Sequence, residues 1–367
     1  MLILFIGAVT GYFAGKMGVN AAKEVSKATV FVVAALFIPL FFIVIGIHEA
    51  GHAWAGIKVN FDFRMYVIGP FMWEKEQNKW KFKWNKNINT AGGLVLCVPV
   101  GTDNLSKRFS IYAAGGPMAS MLLAVFAYGL SRLISITNRS VDSGMETVSF
   151  ILLTVAFLSS VIFVATSIPM QNGGFSSDGA RILSLLRGGK KARFETLILK
   201  IIADSMSGIR PKLLNMKELT EAQEIAAEIN PPFGVYVHSF FHQAAFDRAD
   251  LGDAEKHLIE YVRKADAIPE GIRNAVWMDA TFFYAFGKRD IEEAQKYWDQ
   301  FKLSAMISKA QIYATEAAMA SLKKDDETVI AKIDAAMKEL PAMLDKGVGI
   351  ALKEKLQLLQ IRTKTRA

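Results

Sequence analysis

Apolar and polar positions divide the chain into two halves with different periods. Up to about residue 186, four long apolar stretches alternate with charged connections. Residues 28–47 contain no charged side chain, about the 20 residues needed to cross a bilayer. A helical pattern continues from there through His48-Glu49-Ala50-Gly51-His52 to Ile57, before Lys58 restores charge. An earlier stretch, residues 1–15, is short for a span. Its Gly7, Gly11 and Gly15 stand at the four-residue spacing that lets membrane helices approach closely. A third stretch covers residues 109–131, where Gly115-Gly116-Pro117 predicts a helix broken or thinned at its start. The fourth, residues 147–177, is uncharged and too long for one straight span, so its helix is expected to end near Pro169. The turn Asn172-Gly173-Gly174 would then bring Asp178 back toward the other helices.

Between the second and third stretches the period changes to two. Phe61, Phe63, Met65 and Val67, then Trp80, Phe82 and Trp84, alternate with polar residues, predicting a β-hairpin that turns near Glu76-Gln77-Asn78. An open sheet edge cannot face lipid, so the hairpin must be re-entrant beside the helices or lie at the interface. It could hold an unwound segment by strand addition or simply cover its neighbours.

Beyond residue 187 the chain reads as amphipathic helices joined by short turns. Leu251-Gly252-Asp253, Gly287-Lys288-Arg289-Asp290 and Lys323-Lys324-Asp325-Asp326 recur about every 36 residues, near the tetratricopeptide period. Helices are expected after them at residues 254–265, 291–302 and 327–340. The fold class is therefore mainly α: a polytopic membrane helix bundle of about four spans with a re-entrant or interfacial β-hairpin, followed by a soluble, tetratricopeptide-like helical-repeat domain. The boundary falls between residues 1–186 and 187–367. Such repeats usually bind a peptide or protein, here an adaptor or substrate, in a concave groove; a plain helical cap is the alternative.

Composition agrees with this division. The 367 residues are 52% hydrophobic with a net charge of +8. The basic residues lie mostly beside membrane stretches, which argues for lipid contact and topology rather than nucleic acid. Lys and Arg are dense between spans two and three (Lys58 to Arg108) and after span four (Arg181 to Arg193), and sparse in the other connections. The positive-inside rule then gives a multi-pass protein of the cytoplasmic membrane, with the N-terminus, the middle segment and the C-terminal domain in the cytoplasm. Cys97 is the only cysteine, which excludes an intramolecular disulfide and a cysteine-built zinc site.

Chemistry concentrates at the end of the second apolar stretch. A helix puts His48 and His52 on one face, so both imidazoles can reach one Zn2+ ion. Glu49, beside them, is placed to act as general base on a water at that ion. Catalytic zinc takes three protein ligands and keeps a position open. No histidine follows before His238, and no Glu is followed four residues later by Asp. The third ligand must then come from another span, and Asp178 is the acidic residue that closes an apolar stretch. Its alternative role is N-cap of a helix over residues 179–186. His238 and His242 also stand four apart, but with no adjacent Glu they read as packing or surface residues.

The pentapeptide, the following hairpin, the helix opened by Gly116-Pro117 and the late Ser177-Asp178-Gly179 together resemble the site-2 protease family of intramembrane zinc metalloproteases. The resemblance covers roughly residues 28–186. It implies His48, His52 and Asp178 as zinc ligands, Glu49 as general base, a site opening to the cytoplasm, and membrane-protein substrates cut by regulated intramembrane proteolysis. This chain departs from the common pattern at Thr166 and Ser120, where the family often has Asn, and at Ser177, where it has Leu; nine positions separate Pro169 from Asp178. The carbonyl-polarising residue is left unassigned. Two other readings stay open at this point: a membrane-surface zinc protease for protein quality control, and a non-catalytic anchored scaffold.

Overall fold

A computed structural model describes residues 26–76, 79–85, 92–137, 143–172, 175–231, 234–268, 270–303 and 307–365. The short stretch 1–15, expected as a span, lies outside these residues. The chain forms two compact units, one from residues 1–51 and 116–166, the other from 52–115 and 167–367.

Three helices are long and apolar enough to cross a membrane: α1 (Lys27–Lys58), α2 (Leu105–Thr137) and α3 (Ser143–Ser167). In the first unit they present large apolar side chains outward, with Phe31 75% and Phe126 68% exposed. A water-soluble bundle would bury them; lipid solvates them. Inside, Leu40, Val44 and Leu158 pack together. Because lipid gives no hydrophobic drive between helices, small polar contacts take over. Ser131 and Ser149 hydroxyls meet at 2.8 Å, and Ser159 donates to the Ser120 carbonyl at 2.8 Å. At the start of α1, Ser26 Oγ accepts from the Thr29 N–H, and Thr29 in turn meets Thr147 at 2.8 Å.

Two expectations meet different outcomes here. Helix α3 stops at Ser167, two residues before Pro169, as the proline predicts. Helix α2, by contrast, runs unbroken through Gly115-Gly116-Pro117. Proline removes one backbone donor from a helix, but in a membrane span the continuing ladder on either side preserves the segment, since lipid offers no other partner for its amides.

In the second unit, the expected hairpin is part of a larger sheet. Strands β1 (Phe61–Ile68), β2 (Phe71–Glu76), β3 (Lys79–Trp84) and β4 (Leu94–Pro99) form an antiparallel sheet in the order β3-β2-β1-β4. The extra turn is Gly69-Pro70, which pairs Ile68 with Phe71; Gly69 has φ +54°. Ala53, Phe61, Val95, Cys97, Leu105 and Phe109 form one core beneath the sheet. A two-strand pair, β5 (Gln171–Asn172) and β6 (Phe175–Ser176), leads into α4 (Asp178–Arg187).

The remaining chain is helical: α5 (Gly189–Ser207), α6 (Met216–Ile229), α7 (Val235–Asp247), α8 (Leu251–Arg263), α9 (Glu270–Phe282), α10 (Ile291–Trp298), α11 (Lys309–Leu322), α12 (Asp326–Glu339) and α13 (Lys346–Lys364). The three recurring turns share one local device. Ala249, Arg289 and Lys324 take left-handed backbone angles, and each precedes an aspartate, Asp250, Asp290 or Asp325, that caps the next helix through its side chain. Four residues after each cap comes a fully buried Ala254, Ala294 or Val329. The expected helices thus begin at Leu251, Ile291 and Asp326, the first three residues earlier than its pattern predicts and the second ending at Trp298 rather than residue 302.

Candidate metal centre

Helix α1 carries His48, Glu49 and His52 to buried positions, with 5%, 9% and 7% exposure. Each imidazole is oriented by its Nδ1. His48 Nδ1 lies 2.9 Å from Ser120 Oγ on α2. His52 Nδ1 lies 2.9 Å from the Tyr112 carbonyl, to which it must donate. Tyr112 is itself fixed, its hydroxyl donating to Val95 O at 2.8 Å. Gly56, one turn after His52, makes room for this arrangement. A Cβ there would come within 3.0 Å of both Cys97 Sγ and the Tyr112 ring.

Asp178 arrives from the other side of the sequence. The helix it opens is capped by its neighbour Ser177, whose Oγ accepts from the Ala180 N–H at 3.2 Å. The same hydroxyl donates to Ile168 O at 2.7 Å and accepts from Met170 N at 3.0 Å, tying the β5–β6 turn to the helix start. With Ser177 as the cap, the Asp178 carboxylate is directed elsewhere, and its Oδ2 lies 3.3 Å from His52 Nε2. Gly179 permits the approach. A Cβ at that position would sit 1.9 Å from the Ser167 carbonyl oxygen. Gly179→Ala is therefore expected to shift α4, lower metal content and destabilise the protein by about 1–3 kcal/mol, measured by metal analysis and thermal unfolding.

One ligand atom from each of His48, His52 and Asp178 lies within 4.8 Å of the others, a spacing that one ion could bridge. The donor chemistry fits zinc. Donation from His52 Nδ1 turns the Nε2 lone pair toward a carboxylate oxygen, and two lone-pair bearers facing each other need a cation or a proton between them. Among the described residues this is the one such cluster of three. Cys97 takes no part: burial, reinforced by Asp62, pushes its thiol up to about 12. His238 and His242 do not converge. His242 Nδ1 donates to Ala254 O at 2.8 Å, while His238 Nδ1 faces His257 Nδ1 at 3.5 Å.

Residues 36–175 match the model of Peptidase family M50. This stretch of the chain is similar to that family. The match to the M50 family includes His48, Glu49, His52 and Ser120, and it stops three residues short of Asp178. Asp178 therefore stands on geometry rather than on the M50 match. No curated protein and no solved structure matches the chain. The match supports a peptidase, zinc-dependent as M50 proteins are in general, and the three apolar helices are long enough to cross a membrane.

Two partners of the cluster escaped the sequence reading. Ser120 stands out there only as a departure from the family's Asn, three residues after Pro117; here it holds His48. The Tyr112 carbonyl leaves no signal in sequence, since every residue has one. Because such outer partners typically contribute 10- to 100-fold in metal affinity, Ser120→Ala is expected to weaken zinc binding by about that factor in chelator competition.

Proposed function

We propose that this chain is an intramembrane zinc metalloprotease that hydrolyses peptide bonds in or near the spanning segments of membrane proteins. The observation that carries this reading is the convergence of His48, His52 and Asp178 in an M50 region built on membrane-length helices. The two imidazoles and the carboxylate would hold the ion. When bound, zinc supplies Lewis-acid polarisation of the scissile carbonyl and lowers the pKa of a coordinated water toward neutrality. Glu49 accepts the water proton and delivers it to the leaving amine nitrogen. Ser120 and the Tyr112 carbonyl keep both imidazoles aimed. A substrate helix hides its peptide bonds in internal hydrogen bonds, so it must unwind before attack, and β3, an outer strand of the described sheet, could receive it.

In this proposal residues 1–186 form the protease domain and residues 187–367 a cytosolic helical domain that receives an adaptor or the substrate itself. The charge distribution supports a cytoplasmic N-terminus and a site facing the same compartment.

The test is zinc content and cleavage of a membrane-anchored reporter by protein purified in detergent. One zinc per chain is expected, lost in His48→Ala and Asp178→Ala. Cleavage should stop with a chelator and return with zinc. An Asp178→Ala protein with full zinc and full cleavage would remove Asp178 from the site and with it the proposed ligand set.

A further inference from the structure

The π-helical turn Phe283–Lys288, which ends α9, lines a pocket together with the C-terminal ends of α11 and α13. Its volume, counted as space open to the centre of a water molecule, is ≈ 320 Å³. That is room for about twenty waters. None of its residues takes part in the chemistry assigned to the metal centre.

Two cations, Arg289 and Arg362, line this pocket, and no carboxylate among the described residues does. Neither arginine forms an ion pair with a described residue. Their neighbour Lys288 differs, since its Nζ bonds Glu255 at 2.8 Å. Arg362 is held from one side only. Phe286 lies in the last turn of its helix, where carbonyls lack a helical partner, and its oxygen accepts from Arg362 Nη1 at 3.2 Å. The guanidinium carbon also stands 4.8 Å over the Phe286 ring. Its other N–H groups have no partner among the described residues. Arg289 is fixed by its backbone, with φ +58° and its N–H donating to Tyr284 O. Its guanidinium bonds to no described residue.

Most of the remaining lining is apolar, with Phe286, Leu322, Leu359 and Ile361. Ile361 is 61% exposed, although α13 lies outside the membrane-length helices. Apolar surface left to water beside two uncompensated guanidinium groups calls for a ligand that is apolar at one end and anionic at the other.

We propose that this pocket binds a carboxylate carried on a short aliphatic group. The planar oxygens accept from the forked N–H groups of Arg289 and Arg362, which match a carboxylate in charge and in shape. The aliphatic part lies against Phe286, Leu322 and Ile361 and takes their surface out of water. An inorganic anion would use the charge and leave the apolar lining wet. A free aliphatic acid and the C-terminal residue of a peptide share this chemistry and differ in the amide. Thr365, also in the lining, bears on that difference. Its hydroxyl donates to Ile361 O at 2.9 Å, and its oxygen keeps lone pairs that an amide N–H can use.

The experiment is ligand-observed NMR titration of the full chain, purified in non-ionic detergent, with 4-methylpentanoate, 4-methylpentanamide, N-acetyl-leucine and inorganic phosphate. The expected result is saturable millimolar or tighter binding of 4-methylpentanoate, at least tenfold tighter than its neutral amide and than phosphate. N-acetyl-leucine binding at least tenfold tighter again identifies a peptide C-terminus as the source of the group; equal or weaker binding identifies a free aliphatic acid. Arg362→Gln should weaken 4-methylpentanoate at least fivefold. Arg289→Asn, in which asparagine tolerates the left-handed backbone, should do the same and stands alone if the first variant does not fold. A carboxylate held at the metal centre instead would survive both substitutions. No saturable 4-methylpentanoate binding, equal affinity for the amide or for phosphate, or unchanged affinity in either folded variant overturns the proposal. None of these readouts depends on peptide-bond hydrolysis.

Discussion

Glu49→Gln should leave the protein with its full complement of zinc and reduce peptide-bond hydrolysis by about 10²- to 10⁴-fold, the usual contribution of a positioned general base. Glutamine has the shape of glutamate and fits the same buried position, 9% exposed on α1. The three groups that converge at the site, His48, His52 and Asp178, are untouched, so metal content should not change. What the amide cannot do is take a proton from water. Asp178→Ala serves as the contrast, since it should lose metal and activity together. The two variants separate a proton-transfer role from a ligand role by measuring zinc and cleavage on one preparation. A Glu49→Gln protein with cleavage within threefold of wild type would remove Glu49 from the chemistry. Loss of zinc in that variant would instead make Glu49 part of the metal's support.

Much of this site is legible in sequence for a simple reason: its signals are local. An uncharged run long enough to span, followed by histidines one helical turn apart, needs only the helix period to be read, and α1 has both. Asp178 is legible at longer range, because Pro169 ends α3 and the following turn sends the chain back. Other features depend on partners that sequence does not show. Gly179 is a glycine because the Ser167 carbonyl occupies the space beside it. Ser177, read as a departure from the family pattern, is the cap that releases Asp178 from that duty. Strand β4 is hidden because Leu94–Pro99 is apolar at every position and partly or fully buried throughout, so it lacks the alternation that reveals β1 and β3. Gly115-Gly116-Pro117 misleads for the opposite reason. The local signal is a true helix breaker in water, and the membrane setting overrides it.

Stability of the helical half should fall as pH rises toward neutrality, and Asp279 is the expected cause. Burial pushes its carboxyl up to about 7 from an ordinary 3.8, opposed only by the Gln243 side chain. Between those values the folded protein holds a proton that the unfolded chain has released. The folded state therefore binds more protons, and stability decreases with pH until it levels off above about 7. A shift of that size corresponds to roughly 4 kcal/mol at most, and water in the cavity that Asp279 lines will reduce it. Buried histidines act in the opposite direction. His238 and His242 are both held down to about 4 by burial, so the unfolded chain binds their protons more readily and stability rises with pH up to about 6.5. The two effects overlap in the wild-type curve, so the informative quantity is the difference between wild type and Asp279→Asn, in which the histidine contributions cancel. Asparagine keeps the shape and never ionises. The variant should match wild type near pH 4 and exceed it by a margin that grows to pH 7 and then stays constant, measured by denaturant unfolding of the detergent-solubilised protein. A difference independent of pH would mean that Asp279 ionises in the fold as readily as in the open chain, through solvent reaching it from the cavity.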